Sequence, residues 1–274
     1  MTASSLDITV DDISVTYSNA KLALYNASCM VMPGTITALV GPNGSGKSTL
    51  FKSIMGFLQP SQGKIRVGGF PVQKVQKRQL MAYVPQSDEV DWNFPVSVFE
   101  VVMMGRYGYM NIFRTPRQKD RRIVMESLER VGLVDFRNHQ IGELSGGQKK
   151  RAFLARALAQ EGKVILLDEP FTGVDVKTEK RIIDLLLQLK QEGHTILVST
   201  HDLASVSTFC DRTILLNQTI LASGTTQEVF TEDNLTMAFG GLPISSLRQM
   251  TGQMTGQSSH IVNRQTSQNA EVEA

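Results

Sequence analysis

The feature that most constrains the fold is a glycine-rich loop between an apolar strand and a helical pattern. The segment Gly41-Pro-Asn-Gly-Ser-Gly-Lys-Ser-Thr49 fits the pattern G-x-x-x-x-G-K-[ST]. It follows the apolar run Thr35–Val40 and precedes the helical pattern Lys47–Met55, which is the context that this motif requires. Glycines let backbone N–H groups point at phosphate oxygens, and the helix adds the positive end of its dipole. The loop therefore predicts binding of ATP.

The residues of this loop divide into a backbone cradle and two side chains with chemical roles. Lys47 is expected to reach the β- and γ-phosphates, and the Ser48 hydroxyl is expected to bind Mg²⁺. An ordinary glycine-rich turn is the alternative, and the flanking strand and helix argue against it. ATP and Mg²⁺ are therefore the expected cofactors. The cradle is expected to come from Gly41, Pro42, Asn43, Gly44, Ser45, Gly46 and Thr49.

Two adjacent carboxylates end a second apolar strand, Val164-Ile-Leu-Leu-Asp-Glu169. An acid at the end of a buried strand is costly unless a cation or hydrogen bonds compensate it. Asp168 is expected to act on Mg²⁺ through water or from just outside its ligand set. Glu169 points the other way and is expected to polarise the attacking water, a contribution of roughly 10²–10⁴ in rate. The alternative, two solvated acids, is weak once a phosphate loop lies upstream.

A third motif, Leu144-Ser-Gly-Gly-Gln148, has two interpretations. Ser145 and Gln148 form a capping box that starts a helix, which is the interpretation favoured in isolation. A cap needs no paired glycines, however, and Gly146 and Gly147 expose backbone N–H groups at a helix N-terminus, which makes a second anion site. Two such sites in one chain cannot easily close on one phosphate. Two chains arranged head to tail can do so, with ATP between them.

Between the motifs, short apolar runs predict a central parallel sheet, and two runs of mixed polarity predict an antiparallel layer. The central strands are expected at Thr35–Val40, Val164–Leu167 and Thr195–Val198, and the antiparallel ones at Leu6–Thr16 and Lys64–Val67. Helical patterns cover Lys47–Met55, Val98–Met104, Arg117–Val131, Gln148–Gln160 and Lys177–Gln191. The mostly helical stretch from about 88 to 160 interrupts the alternation, so an inserted helical subdomain is expected there.

In this order the motifs resemble those of the ATP-binding-cassette (ABC) ATPases. The resemblance covers roughly residues 6–240 and includes Tyr83-Val-Pro-Gln86 and Val198-Ser-Thr-His201 besides the motifs above. It implies an α/β fold, a P-loop NTPase ABC cassette with a RecA-like core, an antiparallel β layer and an inserted α-helical subdomain. It also implies ATP hydrolysis by a pair of such domains.

The resemblance assigns roles to residues that would otherwise look ordinary. Gln86 is expected to touch Mg²⁺ or the attacking water, although a lone Gln after a strand is normally a surface residue. His201 is expected to bond the γ-phosphate and orient the water, although a lone His is usually structural. Tyr17 is expected to stack on adenine; a half-buried strand tyrosine is the alternative, and Tyr25 is a weaker candidate. Asp175 matches an acidic loop at the dimer interface, although Thr-Gly-Val precedes it where Ser-Ala-Leu is more usual.

Composition restricts the setting in which such a protein works. The 274 residues carry a net charge of +2, which argues against a dedicated nucleic-acid binder. No apolar run approaches the roughly 18 residues of a membrane span, and the N-terminus has no signal-peptide pattern. Cys29 and Cys210 match no metal spacing, so two buried thiols in a reducing compartment are expected. Residues 241–274 are rich in Ser, Thr, Gln and Gly and are expected to form a disordered tail.

A cassette without a spanning segment resembles a subunit of a bacterial importer, peripheral on the cytoplasmic face of the inner membrane. The implied partners are a second ATPase subunit in a homodimer, an integral-membrane permease and, indirectly, a metal-binding extracytoplasmic protein. Trp92 and Phe94 predict an exposed anchor for a permease helix, unless both pack inside the helical subdomain. The surrounding segment resembles importers of manganese, zinc or iron, with manganese and iron favoured over zinc.

Two other classes of function are alternatives to transport. A soluble non-transport ABC ATPase acting on nucleic acid or ribosomes usually has two cassettes or a long coiled-coil insertion, and this sequence has neither. A regulatory module that holds ATP without turnover would lack a base or switch residue, whereas Glu169 and His201 are both present. A transport ATPase with no nucleic-acid partner is therefore the expected function.

Overall fold

A computed structural model describes residues 6–17, 21–86, 92 and 94–240. The expected tail, 241–274, lies outside the described residues, so the prediction about it stays a prediction. The strands are β1 (Ile8–Thr16), β2 (Leu22–Val31), β3 (Ile36–Val40), β4 (Gln62–Val67), β5 (Phe70–Pro71), β6 (Met81–Val84), β7 (Val164–Asp168), β8 (Thr195–Thr200), β9 (Arg212–Asn217) and β10 (Thr219–Thr225).

The helices lie mainly between these strands, and a 3₁₀ helix, Met104–Tyr109, follows the third of them. None of the helices in the described residues is long and apolar enough to cross a membrane. The helices are α1 (Lys47–Ile54), α2 (Val72–Lys77), α3 (Val98–Met103), α4 (Gln118–Arg130), α5 (Gly146–Ala159), α6 (Val176–Gln191), α7 (Leu203–Phe209), α8 (Thr226–Val229) and α9 (Glu232–Phe239).

The larger sheet has the strand order β10–β9–β3–β8–β7–β6 among the described residues. Its inner strands pair in parallel, and β10 joins one edge antiparallel to β9. Every residue of β3, β7 and β8 is buried, as expected for parallel strands covered on both faces. This arrangement confirms the parallel centre of the predicted α/β fold.

The two faces of this sheet belong to two hydrophobic cores. Successive side chains of a strand point to opposite faces, so Ala38 and Val40 pack with residues of α3 to α7, while Leu39 packs with residues of α1 and β1. The second core lies beneath a smaller antiparallel sheet with the order β2–β1–β4–β5. This smaller sheet is the predicted antiparallel layer.

The predicted helical subdomain is also present, built from α3, α4, α5 and the 3₁₀ helix. Val102 of α3, Leu128 of α4 and Leu154 of α5 are buried in one shared core. Arg106 is buried as well, and it pairs with Asp120 at 3.1 Å and with Glu161 at 2.6 Å. A buried guanidinium requires such partners, and these pairs fix the 3₁₀ helix against α4 and the end of α5.

The sequence prediction omitted five strands, namely β2, the two-residue β5, β6, β9 and β10. β2 contains register shifts against β1 that break the alternation on which strand prediction depends, and β6 is short. The β9–β10 hairpin turns at Gln218, whose φ angle is +60°. Glycine or asparagine usually marks such a turn, so the hairpin carried no recognisable signal.

Candidate nucleotide site

The predicted motifs meet at the carboxyl ends of three neighbouring strands. β3 leads into the phosphate loop, β7 ends at Asp168, and β8 ends just before His201. Because β7 and β8 pair in parallel, with Asp168 opposite Ser199, their ends lie side by side. Open parallel sheets bind ligands outside this edge. The topology therefore assembles motifs that are far apart in the sequence.

Three glycines shape the phosphate loop. Gly44 and Gly46 have φ angles of +80° and +102°, in the left-handed region where a side chain is strained. A Cβ on Gly41 would lie 2.1 Å from the Leu216 carbonyl oxygen, and one on Gly46 would lie 2.5 Å from a Leu24 methyl carbon. The loop thus packs tightly against the backbone of β9 and the side chains of β2, and its opposite side faces the site.

Two polar groups of the loop fit a phosphate ligand. Ser45 Oγ is buried and has no hydrogen-bond partner among the described residues. Lys47 Nζ donates to two carbonyl oxygens of the loop itself, at 2.8 and 3.2 Å. Burial lowers the pKa of Lys47, and the negative charges of Glu169 and Asp168 oppose this effect. Since buried polar groups are normally hydrogen-bonded, an anion bound in the loop would complete the site.

An open cleft of about 570 Å³ lies over the loop. Tyr17, Gln86, Glu169 and His201 line it together with Asn43, Gly44, Gly46, Lys47, Ser48 and Thr49, so most of the predicted site residues share one cavity. The Tyr17 hydroxyl lies 2.9 Å from Thr49 Oγ1, and its ring is 37% exposed. A half-exposed ring at the mouth of the cleft is available to stack on a flat ligand.

Asp168 lies behind the wall of the cleft, where it is 2% exposed. Its Oδ1 accepts a hydrogen bond from Ser199 Oγ at 2.5 Å, and its Oδ2 accepts one from the Tyr83 hydroxyl at 3.4 Å. Together with the Ser48 hydroxyl and the Gln86 side chain in the cleft, it offers the oxygen ligands that Mg²⁺ prefers. The residues present therefore fit this ion.

Glu169 forms contacts with several elements at once. Its Oε1 lies 3.9 Å from Lys47 Nζ, and its Oε2 lies 3.3 Å from His201 Nδ1. Thr172 Oγ1 donates to Oε2 at 3.0 Å, and Lys150 Nζ donates to the Glu169 carbonyl oxygen at 3.0 Å. The Glu169 φ angle of +49° lies in the left-handed region. A non-glycine residue held there is strained, and such residues cluster at functional sites.

The Leu144–Gln148 motif lies outside this cleft. Ser145 is exposed and caps α5 as a capping box: Gln148 N–H donates to Ser145 Oγ at 3.3 Å, and Ser145 N–H donates to Gln148 Oε1 at 2.8 Å. Gly146 is exposed and Gly147 is buried. The capping interpretation therefore describes the local structure, and the glycines add an exposed helix N-terminus to it.

Asp175 also caps a helix. Its two carboxylate oxygens accept hydrogen bonds from the N–H and the hydroxyl of Thr178, at 2.9 and 2.8 Å, at the start of α6. The backbone hydrogen bond from Thr178 is the main cause that lowers the pKa of Asp175. The side chain is exposed and does not line the cleft of its own chain.

Sequence reasoning missed three residues that hold the site together: Ser199, Thr172 and Lys150. Ser199 and Thr172 stand within motifs that were recognised for His201 and Asp175, so closer attention to the intervening hydroxyl residues could have found them. Lys150 lies in α5, and only the tertiary structure places it beside Glu169. No sequence pattern signals that contact.

Trp92 and Phe94 are predicted together as an anchor for a partner, but only one of them is exposed in the structure. Trp92 packs edge-on against Phe153, with ring centroids 5.2 Å apart, and belongs to the core of the helical subdomain. Phe94 is 59% exposed.

Cys210 is buried and Cys29 is partly buried, and burial raises the pKa of the Cys29 thiol to about 12. The described residues contain no group of His, Cys, Asp and Glu that could hold a metal ion.

Comparison with known proteins identifies the family to which this cassette belongs. A family model described as ABC transporter matches residues 24–172, from β2 to just beyond the acidic strand end. The chain belongs to the ABC transporter family. Members of this family use the cassette to bind and hydrolyse ATP, which confirms the predicted fold class and the predicted ATPase.

Two similar proteins are named as components of metal transport systems. The chain is 80% identical to the manganese transport system ATP-binding protein MntA of Synechocystis, over 91% of this chain and 96% of that protein. It is 61% identical to the chelated iron transport system membrane protein YfeB of Yersinia pestis, over 86% of this chain and 80% of that protein.

A solved structure of a metal-chelate type ABC transporter in an inward-facing conformation has a similar cassette. Its TM-score is 0.75 at 32% identity, covering 85% of this chain and 88% of that one. The chain is therefore an ATP-binding subunit of the kind that works with a membrane permease.

Proposed function

We propose that this chain energises the uptake of a transition metal, manganese or iron and with lower preference zinc, through a separate permease. One observation carries the proposal: the phosphate loop, Glu169 and His201 share one cleft, whereas the Ser145–Gln148 motif lies outside it, with Ser145 and Gly146 exposed. A site divided in this way is completed by a second chain, as in a transport motor. The names of the manganese and iron transport relatives support the choice of cargo.

Within the cleft, the chain's own residues bind and orient ATP. The backbone N–H groups of the phosphate loop and Lys47 hold the phosphates, and Tyr17 stacks on the adenine. Glu169 accepts a proton from the attacking water, and His201, 3.3 Å from Glu169 Oε2, orients that water and the γ-phosphate. Preorganised groups of this kind stabilise the charge that develops in the transition state.

Ser48, Gln86 and Asp168 are the residues that would hold Mg²⁺. When bound, this ion neutralises developing charge on the phosphate oxygens. Ser48 and Gln86 line the cleft, and Asp168 lies behind it, fixed by Ser199 and Tyr83. Asp168 therefore acts through water or from just outside the ligand set.

The second chain is a further copy of this one. In a head-to-tail pair, the exposed N-terminus of α5 in one subunit would approach the γ-phosphate in the cleft of its partner, since N–H groups at a helix start attract anions. Asp175 is exposed at the start of α6 and is proposed to lie at the same interface between the two subunits. Closure of the pair on ATP is a population shift driven by tighter binding to the closed state.

The pair is proposed to dock beneath a permease, on the cytoplasmic face of the bacterial inner membrane, and an extracytoplasmic protein would deliver the metal. The exposed Phe94 is a candidate contact for the permease, because large exposed apolar side chains often mark partner surfaces. The metal is the cargo and passes through the permease. No nucleic-acid partner is proposed.

Purification of the complex from membranes tests this function. We expect a tag on this chain to recover a permease, and we expect manganese or iron, delivered by the binding protein, to stimulate ATPase activity in proteoliposomes more than zinc does. The Glu169→Gln variant is the control, since it should recover the same permease without stimulated turnover. Recovery of ribosomes or nucleic acid in place of a permease would favour the soluble ATPase instead.

A further inference from the structure

The Ser199 hydroxyl is hydrogen-bonded to both acidic residues of the site, as a donor to Asp168 and as an acceptor from Glu169. It lies in β8 opposite Asp168 of β7 and is 0% exposed. Its Oγ donates to Asp168 Oδ1 at 2.5 Å and accepts a hydrogen bond from the Glu169 backbone N–H at 2.9 Å. One buried hydroxyl thus joins a carboxylate to the peptide group that follows it.

The Glu169 backbone needs such support. Its φ angle of +49° is strained for a residue with a side chain, and Pro170 follows it, which disfavours the ordinary helical conformation. Its N–H is held by Ser199 and its carbonyl oxygen by Lys150. With both peptide groups fixed, the side chain is directed toward Lys47 and His201.

We propose that Ser199 is a positioning residue for ATP hydrolysis: its hydroxyl sets the orientation of the Asp168 carboxylate and the backbone conformation of Glu169 together. This inference rests on the proposed roles of Asp168 and Glu169. Ser199 does not itself line the cleft, and its hydroxyl contacts the site only through Asp168 and the Glu169 backbone. Its effect is therefore expected on turnover and not on the affinity for ATP.

A matched control lies on the same strand. Thr195, at the other end of β8, is also 0% exposed, and its Oγ1 accepts a backbone N–H, that of Gly34, at 3.0 Å. Thr195→Val therefore removes a hydroxyl that is equally buried and also accepts one backbone N–H, but that lies far from Asp168 and Glu169. The comparison separates a general loss of stability from a loss of alignment at Glu169.

Steady-state hydrolysis and equilibrium binding of an ATP analogue form the test. Ser199→Ala is expected to lower kcat about tenfold, a barrier increase of about 1.4 kcal/mol, with KM and analogue affinity unchanged. Thr195→Val is expected to lower the Tm similarly and leave kcat intact. Equal kcat losses in both variants, or no loss in Ser199→Ala, would overturn the proposal.

A second pair covers the case in which Ser199→Ala does not fold. Ser199→Thr and Ser199→Val introduce side chains of the same shape, and only threonine keeps the hydroxyl. We expect Ser199→Thr to retain most of the kcat and Ser199→Val to lose it about as Ser199→Ala does. Folded variants with the same kcat, whether both high or both low, would contradict the proposal.

The Glu169→Gln variant distinguishes this inference from the function on which it rests. Wild-type turnover in Glu169→Gln would remove the base and the proposed function with it. Inactive Glu169→Gln alongside a fully active Ser199→Ala would remove only the positioning role. In the Glu169→Gln background, Ser199→Ala should cause less than the tenfold loss expected in the wild type, because residues that act as one unit are not additive. A full additional tenfold loss would show that Ser199 acts independently of Glu169 and would overturn the joint positioning role.

Discussion

At Glu169 the protein holds a carboxylate between a lysine and a histidine by means of a strained backbone. The contacts to Lys47 and His201 come from α1 and from the residue after β8, so three elements converge on one side chain. A different side chain at position 169 would not reproduce both of these contacts.

Glu169→Gln is expected to retain ATP binding and to slow hydrolysis by at least roughly 10², because glutamine cannot accept the proton from water. The variant should also accumulate an ATP-dependent dimer, since closure occurs and reopening requires hydrolysis. Size-exclusion chromatography with ATP and a phosphate-release assay would measure both effects. The control is Glu126→Gln, which changes an exposed glutamate of α4, and it should behave as the wild type.

Much of the site could be predicted at this scale because its motifs are contiguous. The phosphate loop and the Asp168-Glu169 pair are predicted from short segments, His201 is predicted from the order of the motifs, and most of these residues line one cleft. Lys150 could not be recognised, because its contact depends on how α5 packs against the end of β7. Contacts across elements leave no local pattern in the sequence.

At the scale of elements, α5 joins two parts of the proposed mechanism. Its N-terminus is exposed and capped by Ser145, and Lys150 in its second turn binds the Glu169 carbonyl oxygen. The helix start was predicted two residues late, at Gln148, because glycines are poor helix formers. The capping box that Ser145 forms decides the true start.

Ser145→Arg should leave ATP binding by the isolated subunit intact and abolish cooperative hydrolysis, because the bulky cation occupies the exposed start of α5. The lost cap should cost about 1 kcal/mol of stability. Thr225→Arg removes an equivalent capping box at the start of α8 and serves as the control, with cooperativity preserved. Reduced nucleotide affinity in the isolated Ser145→Arg subunit would favour a purely structural cap.

The loop between the 3₁₀ helix and α4 carries two apolar side chains, Ile112 and Phe113, that are 95% and 84% exposed. Large exposed apolar groups often mark contacts with a partner. Joint replacement of both by serine is expected to reduce recovery of the permease without changing ATP affinity. Met237→Ser, at a 57% exposed position of α9, should leave recovery unchanged; equal losses would indicate a general effect of surface change.

At the scale of the whole molecule, one largely parallel sheet separates two cores, one formed with helices α3 to α7 and the other with α1 and the antiparallel sheet. The fold class was predictable because buried parallel strands leave continuous apolar runs in the sequence. The edges of the sheet were not, because β6, β9 and β10 are short or turn at residues without a strong signal. Tertiary pairing decides their conformation.

Removal of residues 241–274 is expected to leave ATPase activity and Tm largely unchanged. The described residues up to Gly240 already contain both cores and the cleft, and the polar composition of the remainder offers little to bury. Thermal unfolding and phosphate release of the truncated chain check this. A collapse of folding would show that the segment contributes to the core.

The contact between Lys150 and Glu169 has a consequence for the proposed pair of subunits. In the proposed pair, the helix whose start approaches the partner's nucleotide is also hydrogen-bonded, through Lys150, to Glu169, the proposed base of its own cleft. Binding of ATP in one cleft would therefore change the rate of hydrolysis in the other, and the two clefts would hydrolyse ATP cooperatively. The pair could then hold ATP in one cleft without hydrolysing it until ATP also occupies the second cleft.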